Sequence, residues 1–246
     1  MKNPPRGDSN STRLSAGRVG KLSVIGVEPA AGVTDRYIRA LRFRALTRFY
    51  DPLLAVVLRE AVWKSKLVDQ VSAGPDMRVL DLGCGTGTLT VLLAKSSPQA
   101  EVVGLDADPD ALERARTKAV RHGVTLRFVH GRADSPPFSA RSFDRVVSSL
   151  LFHHLTGDDK KRAFRASYDL LDAGGELHVA DWGKPHDLLM RLAFLPVQLL
   201  DGFATTGDNV RGVLPQMAHE AGFASVEETH RRRTVFGTLA FLVARR

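Results

Sequence analysis

The sequence predicts an α/β fold built on a doubly wound, mostly parallel sheet of seven strands. The first observation is that short apolar runs alternate with segments of helical periodicity from residue 77 onward, which is the pattern of βαβ units. The second is the stretch MRVLDLGCGTGTLTVLLA at residues 77–94. It indicates a buried strand, a glycine turn and a helix that packs back on the sheet.

The other elements follow in chain order. Strands are expected at residues 78–82, 101–105, 125–130, 143–149, 176–180, 224–231 and 234–244, and helices at residues 88–95, 109–122, 158–171 and 209–222. Asp108 and Pro109 predict the start of the second helix, because aspartate is a favoured N-cap and proline fits the first turn. Residues 172–175 indicate a turn before strand five. The close spacing of the last two strands through Arg231-Arg232-Arg233 predicts an antiparallel hairpin.

The length of 246 residues suits one α/β domain with extensions. Residues 1–34 are basic and rich in proline, glycine, serine and asparagine, so we expect a disordered or loosely docked extension there. Residues 35–76 are expected to form N-terminal helices, and residues 77–246 the main domain. An insertion is expected at about residues 184–212. Its apolar core, residues 187–196, is too short and interrupted to cross a bilayer and predicts a buried helix, a lid over an apolar substrate or an interfacial patch.

Composition narrows the classes of function. The net charge is +8, but basic residues concentrate in the N-terminal extension and near the C-terminus, so a solvated charged face is favoured over a nucleic-acid surface. Cys84 is the only cysteine, which excludes an intramolecular disulfide and fits a reducing cytoplasm. Residues 1–20 lack the apolar core of a signal peptide. We therefore expect a cytoplasmic protein with no transmembrane segment.

The glycine turn predicts a nucleoside site. Gly83, Gly85 and Gly87 stand at alternate positions between strand and helix, and glycine accepts positive φ and lets a ligand approach the backbone. The next helix begins with free N–H groups that suit an anionic or polar ligand. The second apolar run ends in Asp106, about 20 residues further on, where nucleotide-binding α/β folds place the carboxylate that holds ribose hydroxyls. Neither the G-K-[ST] of a P-loop nor the G-x-G-x-x-G of dehydrogenases is present at this turn.

Residues 79–87 read VLDLGCGTG and resemble the first motif, V-L-D-x-G-x-G-x-G, of the class I S-adenosylmethionine-dependent methyltransferases. Within that superfamily the chain looks most like the group that includes the ubiquinone/menaquinone and sterol C-methyltransferases, from about residue 49 to residue 246. The resemblance implies a Rossmann-like methyltransferase fold with an antiparallel last strand. It also implies S-adenosylmethionine as cofactor, with residues 35–76 as cap helices over the pocket.

The same resemblance implies which residues surround the methionine part of the cofactor. Asp81 would lie near the ammonium group, directly or through water. Gly83 and Gly85 would let the methionine part lie against the backbone. Because the end of strand four contacts this part in the family, Ser148 and Ser149 are also candidates.

Residues 127–144 are similar to the family's G-D-A-x-x-L-P-F…FD segment, which would place Ala133 beside the adenine. Arg132 stands where the family commonly has an aspartate that accepts the adenine amino group, and Asp134 is the candidate substitute. The complete expected set of cofactor-binding residues is Asp81, Gly83, Cys84, Gly85, Gly87, Asp106, Ala107, Ala133, Asp134, Ser148 and Ser149.

His153 and His154 follow strand four and are the catalytic candidates. They face the site by topology, because ligands bind at the carboxyl ends of the strands. Either could act as a general base toward a phenol, an amine or an activated carbon; packing and cofactor-orienting roles are the alternatives. No metal site is expected, because adjacent residues seldom point at one ion and no carboxylate ligand is specified nearby. Asp181 and Trp182, after strand five, are expected to line the acceptor pocket.

The expected function is methyl transfer to a small, apolar or aromatic acceptor. The motif [N/D]-P-P-[Y/F], which marks enzymes that methylate adenine or glutamine amides, is absent after strand four. Two alternatives stay open. One is a methyltransferase of RNA or protein, favoured by the basic clusters, and the other is a non-catalytic partner subunit that keeps the cofactor fold. The apolar segment also allows peripheral membrane contact, and the oligomeric state is not specified.

Overall fold

A computed structural model of the chain describes residues 60–246. The extension expected at residues 1–34, and the part of residues 35–76 that precedes residue 60, lie outside the described residues. One helix of the N-terminal region is described, α1 (Glu60–Val71). It packs on one face of the sheet through the buried side chains of Trp63 and Leu67.

The described residues form one seven-stranded sheet. Its strands are β1 (Arg78–Leu82), β2 (Glu101–Asp106), β3 (Arg127–His130), β4 (Phe143–Ser149), β5 (Leu171–Trp182), β6 (Ser225–Thr234) and β7 (Gly237–Arg245). Their order is β3-β2-β1-β4-β5-β7-β6. Strand β7 runs antiparallel to both of its neighbours, and the other pairings are parallel. The predicted sheet with an antiparallel last strand is confirmed, and the winding reverses between β1 and β4, where such folds open a crevice for ligands.

Helices cover both faces of this sheet. After α1 they are α2 (Thr88–Ser96), α3 (Pro109–Arg121), α4 (Gly157–Leu170), α5 (Leu188–Ala193), α6 (Leu195–Asp201), α7 (Phe203–Arg211) and α8 (Leu214–Glu220), and a 3-10 turn, Phe152–His154, follows β4. Helix α3 starts as the sequence predicts: the Asp108 carboxylate accepts hydrogen bonds from the amides of Asp110 at 2.9 Å and Ala111 at 3.4 Å.

The core lies on both sides of the central strands. Along β1, the side chain of Val79 packs on the α1–α2 side, whereas Leu80 and Leu82 pack on the α4–α8 side. All three are fully buried, as expected for a parallel strand covered on both faces. Because side chains alternate along a strand, Asp81 lies on the Val79 face, where it is a fully buried carboxylate.

Two predicted helices are interrupted. The helix predicted at residues 209–222 is wrong, because α7 ends at Arg211 and α8 begins at Leu214. Gly212 between them has φ of +73°, the left-handed conformation that commonly ends a helix. The apolar segment at residues 187–196 is also divided between α5 and α6. Pro196 lies in the first turn of α6 and has no N–H group with which to continue α5.

The turn predicted at residues 172–175 is wrong, because these residues belong to β5. Leu171 pairs with Phe143 of β4, and a register shift then separates this pair from the regular ladder that starts at Arg145. The glycines that suggested a turn lie in this bulge, between the two paired positions. Bulges accommodate extra residues within a strand.

The final hairpin turns later than predicted. Thr234 pairs with Gly237, so the turn consists of Val235 and Phe236. The segment Arg231-Arg232-Arg233 lies within β6 and not in the turn. Strand β6 is the edge of the sheet, where charged side chains are common because they discourage pairing with another chain.

Gly87 and Gly123 allow a test of how tightly the glycine turn is packed. Both have positive φ, +75° and +67°, but an added Cβ would lie 2.8 Å from the Cβ of Ala115 at Gly87 and would meet no described atom within 4 Å at Gly123. We expect Gly87→Ala to lower the free energy of unfolding by about 2–4 kcal/mol, from backbone strain and overpacking. Gly123→Ala should lower it by about 1 kcal/mol, from strain alone. Urea unfolding measures both, and equal losses would contradict the packing.

Candidate active site

The glycine turn between β1 and α2 is held against the end of β2. The amides of Gly83 and Cys84 both donate to the carbonyl of Leu105, at 2.8 and 2.9 Å. Gly83 and Gly85 have φ of +73° and +53°, which favours glycine. A Cβ at Gly85 would meet no atom of the described chain within 4 Å. The turn therefore presents bare backbone to open space, as close approach of a ligand requires.

Cys84 and Gly87 are packed into the turn. The Cys84 side chain is buried, and burial raises the pKa of its thiol above the ordinary value, with the charge of Asp81 acting in the same direction. Gly87 lies against Ala115 of α3. Both residues shape the turn, and their contact with a cofactor stays a prediction.

Asp81 has one carboxylate oxygen without a partner. Its Oδ2 accepts a hydrogen bond from Thr90 Oγ1 of α2 at 2.6 Å, whereas its buried Oδ1 has no hydrogen-bond partner among the described residues. Burial raises the pKa of Asp81 to about 6, opposed by the Thr90 hydrogen bond and the charge of Lys64. Since buried polar atoms are almost always paired, Oδ1 is suited to a cationic group of a ligand.

Asp106 organises the opposite wall of the turn. Its Oδ2 accepts a hydrogen bond from the amide of Gly85 at 2.7 Å, and its Oδ1 accepts one from the amide of Asp108 at 2.9 Å. Burial raises the pKa of Asp106, and these two amide hydrogen bonds oppose the rise. A carboxylate has about four lone-pair sites, so Asp106 keeps acceptor capacity for the ribose hydroxyls that the sequence predicts there.

Lys118 links the turn to α3, and sequence reasoning missed it. Its ammonium group donates to Thr86 Oγ1 at 3.0 Å and to Thr88 Oγ1 at 2.6 Å. Burial lowers the pKa of Lys118 below its usual value. No local spacing signals this contact, because more than 25 residues separate the lysine from either threonine.

The loop after β3 holds the residues expected at the adenine. Asp134 forms a bidentate pair with Arg132, at 2.9 and 3.1 Å, and a longer contact of 3.4 Å with Arg162. Burial acts against ionisation, but the arginines hold the pKa of Asp134 below its ordinary value. Ala133 packs against the α4–α8 core, and the Ala107 carbonyl lies 3.1 Å from His130 Nε2. The adenine contacts of these residues stay predictions.

The end of β4 turns sharply toward the histidines. Ser148 Oγ is buried and donates to the carbonyl of Leu82 at 2.9 Å, so this hydroxyl joins β4 to β1. Ser149 is the half-buried last residue of β4. Leu150 has φ of +54°, a strained value for leucine of the kind that concentrates at functional sites. The side chain of Leu151 then packs against Gly83, which brings the segment after β4 beside the glycine turn.

Asp181 is the centre of the polar site at the end of β5. It is almost fully buried. Its Oδ2 accepts a hydrogen bond from the amide of Phe152 at 2.7 Å. Its Oδ1 lies 2.8 Å from His153 Nδ1 and accepts hydrogen bonds from the amide of Trp182 at 2.7 Å and from Asn209 Nδ2 at 3.2 Å. One carboxylate thus joins β5, the 3-10 turn and α7.

His153 and His154 lie together and share a second carboxylate. Their ring centroids are 3.9 Å apart. Asp201, at the end of α6, places Oδ2 at 3.7 Å from His153 Nε2 and Oδ1 at 3.9 Å from His154 Nδ1. These three residues can each offer one ligand atom to a metal ion, with the atoms all within 4.8 Å of one another. The adjacent histidines can thus direct ligand atoms to one point, and a carboxylate lies beside them. Neither reason for expecting no metal site here holds.

The electrostatic environment shifts the pKa values of the two imidazoles in opposite directions. Burial opposes protonation of His153, but the charge and hydrogen bond of Asp181 raise its pKa above the ordinary value. Burial and the neighbouring His153 lower the pKa of His154 well below the ordinary value. Burial raises the pKa of Asp201, with His153 opposing and Asp181 adding to the rise.

Sequence reasoning missed Asp201 and Asn209 as parts of this site. Asn209 donates to Asp181 and, at 2.9 Å, to the carbonyl of Trp182. Asp201 is the only acidic residue in the apolar stretch from residue 188 to residue 203. A lone acid in an apolar segment was the available signal, because burial of a charge is unfavourable unless a partner compensates for it.

Comparisons with known proteins show the family to which the chain belongs. Residues 79–175 match the family described as "Methyltransferase domain". The chain is 32% identical over 207 residues to the ubiquinone/menaquinone biosynthesis C-methyltransferase UbiE of Xanthomonas campestris, covering 74% of this chain and 80% of that protein. The chain belongs to the class I S-adenosylmethionine-dependent methyltransferases. It is an enzyme of that class, with S-adenosylmethionine as its cofactor.

Two further proteins show how far the similarity extends in sequence and in fold. The demethylmenaquinone methyltransferase of Thermus thermophilus is 36% identical over 123 residues, and the match spans about half of this methyltransferase and 55% of that protein. Among solved structures, an S-adenosylmethionine-dependent methyltransferase of Thermotoga maritima has a TM-score of 0.61 at 19% identity, covering 82% of this chain and 96% of that one. The latter likeness supports the fold.

None of the helices in residues 60–246 of the methyltransferase combines the length and the apolar character needed to cross a bilayer.

The residues at the ends of β1 and β2 fit S-adenosylmethionine. The unpartnered Asp81 Oδ1 would accept a hydrogen bond from the ammonium group of the methionine part. Asp106 retains acceptor sites for ribose hydroxyls, and Gly85 leaves open space where a ligand can approach the backbone. A carboxylate oxygen without a partner, near open space at a glycine, suits the cationic amino group of an amino-acid ligand.

Asp106 and Asp108 form a matched pair for testing the cofactor site. We expect Asp106→Ala to weaken S-adenosylmethionine binding by about 1–3 kcal/mol, because it removes a charged hydrogen-bond acceptor. Asp108→Ala should lower the free energy of unfolding by about 1 kcal/mol through loss of the α3 cap, with cofactor affinity retained. Isothermal titration calorimetry and urea unfolding distinguish the two effects. Unchanged affinity in Asp106→Ala would show that the pocket is misplaced.

We expect Asp81 to destabilise the protein without its cofactor and to strengthen the binding of S-adenosylmethionine. Its pKa is about 6 in the folded protein and near the ordinary value in the unfolded chain. The folded protein therefore holds the proton more tightly, and its stability falls as the pH rises from about 4 to about 6. We expect Asp81→Asn to remove this decline, to stabilise the free protein at neutral pH by on the order of 1–3 kcal/mol, and to weaken S-adenosylmethionine binding.

Asp69→Asn, on the exposed face of α1, makes the same change in charge and serves as the control. Urea unfolding across this pH range and calorimetry at neutral pH measure the two effects of Asp81→Asn. A variant that is no more stable than the wild type, or that binds the cofactor equally well, would contradict the role of Asp81.

Proposed function

We propose that this methyltransferase methylates a ring carbon of a hydroxylated, apolar aromatic acceptor of the quinol type. The observation that carries the proposal is a buried polar cluster set in an apolar wall at the carboxyl ends of β4 and β5. The Xanthomonas relative is named a ubiquinone/menaquinone biosynthesis C-methyltransferase and the Thermus relative a demethylmenaquinone methyltransferase, and both names support the same class of acceptor.

The apolar wall is formed by the segment between β5 and α8. Trp182, Phe194 and Val197 make a small buried core. The Trp182 ring lies 5.3 Å from that of Phe194 and 6.3 Å from that of His153, measured between centroids. These side chains are already buried, so the polar cluster has apolar surroundings of the kind that an apolar aromatic acceptor favours.

The same helices carry apolar side chains on their outer surface. The large exposed ones are Leu188, Leu189, Leu192, Leu199, Leu200 and Phe203. A cluster of this kind is uncommon on a protein that meets only water and marks sites of contact with apolar partners. It supports an acceptor of low polarity, with α5–α7 as a lid or as a peripheral contact with a membrane surface.

The protein's own task in this reaction is to position the reactants and exclude water. When bound, the cofactor supplies a methyl group already activated on a sulfonium, so no protein nucleophile is needed. Asp81 and Asp106 orient the two ends of the cofactor. His153, His154 and Asp201 offer nitrogen and oxygen acceptors to a ring hydroxyl of the acceptor, and Asp181 fixes the His153 ring. The net change replaces a ring hydrogen by methyl and releases one proton.

The charge on β6 gives little support to an RNA acceptor. Arg231 pairs with Glu228, and Arg233 pairs with Asp187. Two of the three consecutive arginines are thus already neutralised by carboxylates of the same chain, whereas phosphate binding requires available cations.

The experiment is transfer of a labelled methyl group by the full chain. Tritium-labelled S-adenosylmethionine is incubated with a short-chain demethylmenaquinol under anaerobic reducing conditions, with the oxidised quinone and total RNA in parallel reactions. We expect label in the quinol alone, on carbon, because a ring that bears free hydroxyls is electron-rich and the quinone is not. Mass spectrometry of the acetylated product, with both hydroxyls still free to react, identifies C-methylation. Label in RNA and none in the quinol would overturn the proposal.

A further inference from the structure

We propose that His153, His154 and Asp201 bind a divalent transition-metal ion, with open coordination positions directed to the acceptor. The identity of the acceptor rests on the proposed function, but the metal site does not. The site itself is argued from the side chains of the 3-10 turn and the end of α6. Two imidazoles and one carboxylate are a ligand set that suits zinc or iron(II).

The distances are those of ligands that surround a common centre. The separations are 3.7 Å from His153 Nε2 to Asp201 Oδ2 and 3.9 Å from His154 Nδ1 to Asp201 Oδ1. Both are too long for hydrogen bonds. Atoms bonded to one ion at about 2.0–2.2 Å lie roughly 3–4 Å from each other. With all three ligand atoms within 4.8 Å, side-chain movements of less than about 1 Å would complete the shell.

Asp181 supplies the outer support that metal-binding histidines usually have. It engages His153 Nδ1 at 2.8 Å, which leaves Nε2 directed toward Asp201. A carboxylate on the far nitrogen fixes the orientation of a ligating histidine and strengthens its bond to the metal. Asp181 is itself fixed by the amides of Phe152 and Trp182 and by Asn209. The support is therefore rigid before any ion arrives.

Asp201 lacks any other partner that would explain its position. Its side chain is only 13% exposed, and among residues 60–246 no donor lies within hydrogen-bond distance of its carboxylate. A largely desolvated carboxylate that receives no hydrogen bond from the protein is unfavourable. Coordination of a divalent ion would satisfy it, whereas the two rings at 3.7 and 3.9 Å do not.

Three protein ligands leave room for an exchangeable one, as in catalytic metal sites. The exchangeable ligand we infer is an acceptor hydroxyl oxygen. An ion held by these three residues would make a bound acceptor hydroxyl more acidic, so that its proton could leave to solvent with no change of oxidation state. The deprotonated oxygen would donate electron density to the ring and so favour attack by a ring carbon on the activated methyl group.

Cobalt(II) binding tests the site without any turnover. The full chain, free of a polyhistidine tag and treated with a chelator, is titrated with cobalt(II) and followed by its visible d–d absorption. We expect one equivalent to bind with bands of low-symmetry nitrogen and oxygen coordination. Asp201→Asn and His154→Gln should weaken binding at least tenfold, and Asp181→Asn by about 10–100-fold through loss of outer support. His219→Gln, an exposed histidine on α8, should bind as the wild type does.

Circular dichroism and calorimetry with S-adenosylmethionine verify that each variant is folded and binds its cofactor. Absence of cobalt bands in the wild type, or bands that persist unchanged in folded Asp201→Asn and His154→Gln, would overturn the metal site whether or not the quinol is methylated. Cobalt bound as expected, with no label in the quinol, would leave the site standing and contradict the proposed acceptor.

Discussion

The structure depends on how two buried carboxylates, Asp81 and Asp181, and one half-buried carboxylate, Asp106, are satisfied at the carboxyl edge of the sheet. Asp81, Asp106 and Asp181 lie within the last two residues of β1, β2 and β5. Burial of a carboxylate is unfavourable unless hydrogen bonds or cations compensate. Asp106 takes backbone amides, including that of Gly85, and Asp181 takes four donors of its own chain. Asp81 keeps one oxygen without a partner among the described residues, so we expect a ligand to complete this edge of the fold.

These carboxylates also organise the chain around them. Asp106 ties the glycine turn to the start of α3, and Asp181 ties β5 to the 3-10 turn and to α7. Leu151 then brings the histidine segment against Gly83. The cofactor turn and the polar cluster are thus parts of one packed assembly, which is the condition for placing an acceptor beside a reactive methyl group.

Local sequence patterns predicted the parts of the molecule that are set by neighbouring residues. The strand–turn–helix at residues 77–94, the Asp108 cap and the seven strands depend on short-range periodicity and turn chemistry, and the structure confirms them. The break at Gly212 and the position of the arginines in β6 were not predicted. Gly212 offered a local signal, because a left-handed glycine commonly ends a helix, whereas pairing with β7 determines how far β6 extends. Asp201 could not be placed beside His153 from the sequence, since 48 residues separate them and α6 orients the carboxylate. The expectation against a metal rested on the adjacency of the two histidines and on the lack of a carboxylate near them in the sequence, and both criteria are local.

A crystal structure of the full chain with S-adenosylhomocysteine, which has the same amino-acid and ribose groups as the cofactor, would show whether Asp81 and Asp106 hold the cofactor. We expect the ammonium group to lie within hydrogen-bond distance of Asp81 Oδ1 and the ribose hydroxyls to contact Asp106, with the amino-acid part against Gly83 and Gly85. A ligand bound elsewhere on the protein, or an ammonium group paired with another residue while Asp81 Oδ1 stays alone, would contradict this expectation.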